Sequence, residues 1–107
     1  MDVVISDHAR FEIVRRQLSE EMVRSVAQNP PQVVKLNKIR KICQNRYYDP
    51  AEGKEMLLRV ICQERHSMLL VITAYRSSKI DNYWAKEDQY ESDLRLRYRY
   101  LKSFIPG

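Results

Sequence analysis

The sequence predicts an α+β fold: an N-terminal helical hairpin packed on a twisted antiparallel sheet, followed by a C-terminal helical extension. Three observations predict it. Apolar residues recur at helical spacing as far as Asn29, the adjacent Pro30 and Pro31 end that pattern, and from Gln32 onward the chain turns to β-branched and alternating runs. The 107 residues, 44% of them apolar, supply one hydrophobic core and point to a single domain.

Val3, Val4 and Ile5 form a short β-branched run. Ser6 and Asp7 behind it are good helix N-caps, and the carboxylate suits the positive helix terminus. In the first helix Phe11, Val14 and Leu18 form the expected apolar stripe, with Glu12 placed to support Arg16 at i,i+4. Ser19 caps a second helix, Leu18 and Val23 are spaced as a hydrophobic staple, and Met22, Val23, Val26 and Ala27 are expected to face the core. The hairpin spans residues 7–29.

Strands are expected at 32–36, 40–48, 54–64 and 68–76, with Asp49-Pro50-Ala51-Glu52-Gly53 as the turn between the second and third. Within 54–64, Met56, Leu58, Val60 and Cys62 give one wholly apolar face, expected to meet the helices. Arg59 projects from the other face between Leu57 and Ile61. Met68 to Ile72 is apolar on both faces, as in an inner strand. Ile80, Tyr83 and Trp84 fit one helical turn against the sheet edge, and Leu94, Tyr98 and Leu101 give the tail helical spacing.

Nineteen basic against fourteen acidic residues give a net charge of +5, which favours anionic partners. The charge is also segregated: Asn29 to Tyr48 holds five basic residues and no acid, and Leu94 to Gly107 holds four and no acid. Two isolated histidines and no CxxC leave a metal centre without the usual ligand set, and no cofactor is expected. Cys43 and Cys62 sit in strand-like runs and read as small buried hydrophobes. With no secretory leader pattern and no apolar run of ~18 residues, the expected setting is cytoplasmic, without a membrane span.

Several segments carry a resemblance: Ser6-Asp7-His8-Ala9-Arg10 with Arg15-Arg16, the helix ending at Asn29-Pro30, and Leu70-Val71-Ile72-Thr73-Ala74-Tyr75-Arg76 running into Ser78-Lys79-Ile80-Asp81-Asn82-Tyr83-Trp84. In these the chain resembles a small bacterial family of uncharacterised domains allied to the RelE, ParE and BrnT toxins. The resemblance divides the chain into a domain at 1–84 and an extension at 85–107. It implies a RelE-like fold whose sheet turns a concave basic face away from the helical hairpin. It leaves the activity open: RelE-like and BrnT-like toxins are commonly ribonucleases that stop translation and are held by an acidic antitoxin encoded beside them, ParE-like members act on DNA gyrase, and many relatives have no known activity.

Metal-free RNA cleavage needs a base for the 2′-hydroxyl, positive charge on the phosphate and an acid for the leaving oxygen. Arg59, Arg76 and Lys79 are the candidates for the charge; alternatively Arg59 snorkels to water and Arg76 pairs with a surface carboxylate. His8 is the candidate base or acid, or else a packing or capping residue at a helix start. Tyr83 either bonds a phosphate or fills the core edge beside Trp84. Lys38, Arg40, Lys41 and Arg46, with Tyr47 and Tyr48 for base stacking, are the candidate nucleic-acid-binding run. The same run also reads as a charge-guarded strand edge or a docking site for an acidic protein. Two functions follow as expectations: a toxin-like, metal-independent endoribonuclease acting on RNA, on the ribosome or free, and a non-enzymatic module that binds an acidic protein.

Overall fold

A computed structural model describes residues 1–85. The order of elements is β1 (Asp2–Ile5), α1 (Asp7–Arg15), α2 (Glu20–Gln28), β2 (Gln32–Lys35), β3 (Arg40–Asp49), β4 (Lys54–Arg65), β5 (Met68–Ser77) and α3 (Ile80–Tyr83). The five strands form one sheet in the order β1-β5-β4-β3-β2. β2 to β5 are an antiparallel meander, while β1 lies parallel to β5 with Val3 opposite Leu69 and Ile5 opposite Val71.

This corrects the expected architecture of a helical hairpin on an antiparallel sheet with a C-terminal helical extension. Strands take 47% of the described residues and helices 26%, so a mixed sheet is the dominant element and the helices are short. The expected tail helix lies outside the described residues. The parallel edge went unseen for a physical reason. A period of two marks a strand without its direction, and β1 meets β5 only after some sixty residues of intervening chain.

Local chemistry accounts for the helix ends. The Ser6 hydroxyl accepts from Ala9 N at 3.0 Å and the Ser19 hydroxyl from Met22 N at 3.1 Å, capping α1 and α2. α1 ends in a Schellman turn: Leu18 N donates to Ile13 O at 2.9 Å and Gln17 N to Val14 O at 3.0 Å, with Gln17 at φ 56° where glycine is usual.

The two helices carry the chain across one face of the sheet, from the β1 edge to the β2 edge, α1 lying on β5 and α2 on β4 and β3. The core between them and the sheet holds Ala9, Ile13, Val23, Val26 and Ala27 against Cys43, Leu58, Val60, Cys62, Val71 and Ala74. The expected α1 stripe is thus a second correction. Ala9, Glu12 and Ile13 are the buried side of α1, whereas Phe11 and Val14 are 62% and 72% exposed. Small Ala9 lets α1 approach the sheet closely, and Leu18 packs on the core from beyond the helix end.

Arginines complete the sheet edge. Where β1 stops pairing, Arg16 donates to Ala74 O at 2.8 Å and to Thr73 Oγ1 at 3.2 Å, and Arg24 donates to Val3 O at 2.9 Å. Backbone acceptors that would otherwise invite another strand are thereby satisfied.

Candidate binding surface

On the sheet face away from α1 and α2, one register row carries four polar side chains: Gln32 opposite Gln44, Gln44 opposite Arg59, and Arg59 opposite Tyr75. They are bonded in series. Arg59 donates from Nε to Gln44 Oε1 at 3.0 Å and from Nη1 to the Tyr75 hydroxyl at 2.7 Å, and Gln44 Nε2 donates to Gln32 Oε1 at 2.9 Å. The row also clamps the chain after β5. Gln44 Nε2 donates to Tyr83 O at 2.9 Å, Gln32 Nε2 to Ala85 O at 2.8 Å, and the Tyr83 ring lies 4.1 Å from the Arg59 guanidinium. Arg59 is 7% exposed and has no ion pair among the described residues; amide and hydroxyl acceptors and two aromatic rings hold its charge instead.

Arg76 faces the other way. It is opposite Leu58, a core residue on the helix side, and it donates to Arg16 O at 2.5 Å and pairs with Asp49 at 3.4 Å. It thereby ties the end of α1 to the β3–β4 turn, beside a cleft of about 270 Å³ lined in part by Leu18, Met22 and Tyr47. Of the five residues named for cleavage, then, Arg59 and Tyr83 come together, while Arg76 is on the opposite face. Lys79 is exposed ahead of α3, its backbone N–H held by Ser77 Oγ at 3.0 Å, and His8 is exposed in the first turn of α1. Burial raises the pKa of Tyr47, whose hydroxyl reaches Asp49 at 3.3 Å; Tyr47 is on the helix side, away from Arg59.

The basic run also divides. Lys38 and Arg40 are exposed at the β2–β3 hairpin, and Lys41 beside them pairs with Glu64 at 3.5 Å. Arg46, six residues or ~20 Å along β3, pairs instead with Glu55 at 2.5 Å and stands 5.7 Å from the Trp84 ring. Tyr48 is farther still from the hairpin. What joins Lys38 and Arg40 is the β4–β5 turn: Glu64 N donates to Ile39 O at 2.8 Å, which brings Arg65 and His66 to the same end of the sheet. The Asn37 side chain shapes this tip by accepting from Ile39 N and Arg40 N at 3.0 and 2.9 Å. Leu36 and Ile39, 46% and 49% exposed, stand among these cations. Arg65 escaped the sequence reading because only strand register sets it beside Lys38 and Arg40, whereas Lys35, Leu36 and Ile39 are their neighbours along the chain.

Comparison with known proteins leaves this surface to be read on its own geometry. No family model, curated protein or solved structure matches the chain. The likeness to the toxin families thus rests on the short segments quoted above. Among the described residues no group of three or more His, Cys, Asp or Glu side chains is placed to hold a metal ion, and no helix is long and apolar enough to cross a membrane.

Proposed function

We propose that this protein is a non-enzymatic binding module whose basic sheet end, formed by Lys35, Lys38, Arg40 and Arg65, engages an acidic protein. The supporting observation is the exposure of Leu36 and Ile39 between those cations. A phosphate backbone offers nothing to two aliphatic side chains, and among the described residues the named stacking aromatics, Tyr47 and Tyr48, are at the far end of β3. A protein segment that alternates carboxylates with aliphatic residues matches both features.

Metal-independent RNA cleavage is the second reading, and one observation favours it: Tyr83 stacked on Arg59, two of the named residues in contact. Against it stand the opposite orientation of Arg76 and the full engagement of Arg59 Nε and Nη1 within the sheet.

Fluorescence anisotropy with a labelled peptide alternating Glu and Leu, beside a labelled single-stranded RNA incubated in EDTA, separates the two. The module reading expects salt-sensitive peptide binding, weakened by Lys38→Glu and by Leu36→Ser with Ile39→Ser, and intact RNA. Cleavage of the RNA that disappears in Tyr83→Phe would overturn it in favour of the second.

A further inference from the structure

The outer face of α1 carries a surface that neither reading uses. At 100° per residue, Asp7, Phe11 and Val14 fall within an arc of ~60° directly opposite the buried Ala9 and Ile13. Phe11 and Val14 are among the most exposed large apolar side chains of the described residues. At i,i+3 the two side chains adjoin, so they form one small apolar patch rather than two scattered exposures.

The charges around them identify the occupant. Asp7 begins the helix and Arg15 ends it, with Phe11 midway between. Rotating a second α1 by 180° about an axis through Phe11 therefore sets Asp7 of each copy against Arg15 of the other, Phe11 against Phe11, and the two helix dipoles antiparallel. Arg15 has the capacity for this. Its Nε and Nη2 donate to Glu12 of its own helix at 3.4 and 2.5 Å, and its Nη1 has no hydrogen bond among the described residues. The side chain is also 55% exposed, so a second carboxylate can reach it. We infer that α1 pairs antiparallel with α1 of a second copy of this chain. A nine-residue helix is only ~13.5 Å long, so the pairing is of the weak, concentration-dependent kind.

Sedimentation velocity over a wide concentration range, with circular dichroism as a check of folding, tests this. The wild-type chain is expected to shift from monomer to dimer as concentration rises. Asp7→Arg or Arg15→Asp alone turns two opposite-charge contacts into two like-charge ones and is expected to weaken the dimer by ~10-fold. The double variant Asp7→Arg/Arg15→Asp restores it, and Phe11→Ser, at a solvent-facing position, abolishes it. A monomer at every concentration overturns the inference, as does a dimer that Phe11→Ser leaves intact. Single and double charge variants that behave alike would overturn the antiparallel register.

Discussion

Truncating Arg59 leaves two acceptors, Gln44 Oε1 and the Tyr75 hydroxyl, without their donor inside the sheet face. Each such loss costs about 1–3 kcal/mol, so Arg59→Ala is expected to lower the unfolding free energy by ~2–6 kcal/mol. Arg59→Met refills the volume but leaves the same two acceptors without a donor, so it should recover only the packing part of that loss. Urea titration of both variants checks this, and an Arg59→Ala midpoint equal to wild type would remove the network from the account. Glu12 gives a pH-dependent counterpart. The hydrogen bond from Arg15 holds its carboxyl below the ordinary range against the opposing effect of burial, helped by the charges of Arg15, Arg16 and His8. A carboxyl depressed in the folded state contributes stability that is fully present above its unfolded value, ~4.3, and is lost as pH falls through the folded one. The stability gap between wild type and Glu12→Gln should therefore narrow as pH is lowered below ~4. A gap that widens would contradict the assignment.

Two non-glycine residues occupy left-handed backbone at the ends of elements: Gln17 at φ 56° in the α1 Schellman turn, and His66 at φ 55° in the β4–β5 turn. An L side chain in that region costs ~1 kcal/mol or more, and glycine relieves it. Gln17→Gly is expected to raise the thermal midpoint by about the equivalent of 1 kcal/mol, and His66→Gly to do likewise, each read by calorimetry. The elements themselves were legible to different degrees. Strand limits followed within a residue or so, because Met56, Leu58, Val60 and Cys62 alternate so strictly. The α1 face did not follow. Phe11, Val14 and Leu18 and the pair Ala9 and Ile13 both fit helical spacing, so periodicity gives a helix without saying which of two apolar sides meets the sheet.

Across the whole molecule, the basic excess divides between structure and surface. Arg16, Arg24, Arg59 and Arg76 spend their donors on strand carbonyls, the Gln44 row and the end of α1, while Lys38, Arg40 and Arg65 stay exposed. Binding through the second group should fall steeply as salt rises, because exposed charges are screened within ~10 Å at 0.1 M. Cys43 and Cys62 are a separate check on the core. Both thiols are wholly buried, so access governs their reactivity. Both should react with a thiol reagent slowly in native buffer and promptly in denaturant. A fast native reaction would show that α2 does not seal the sheet as described.

From the sequence came the strand positions, the two caps at Ser6 and Ser19, the helix stop at Pro30, and the placing of Arg59 on the face away from the helices, because each depends on residues within a few positions of one another. Tertiary structure alone decided that β1 runs parallel to β5, that α1 turns Phe11 and Val14 outward, that Arg59 and Arg76 look to opposite sides, and that Arg65 joins Lys38 and Arg40. Those outcomes depend on pairings between distant segments, and a one-residue change of register in any strand would have moved each side chain to the other face.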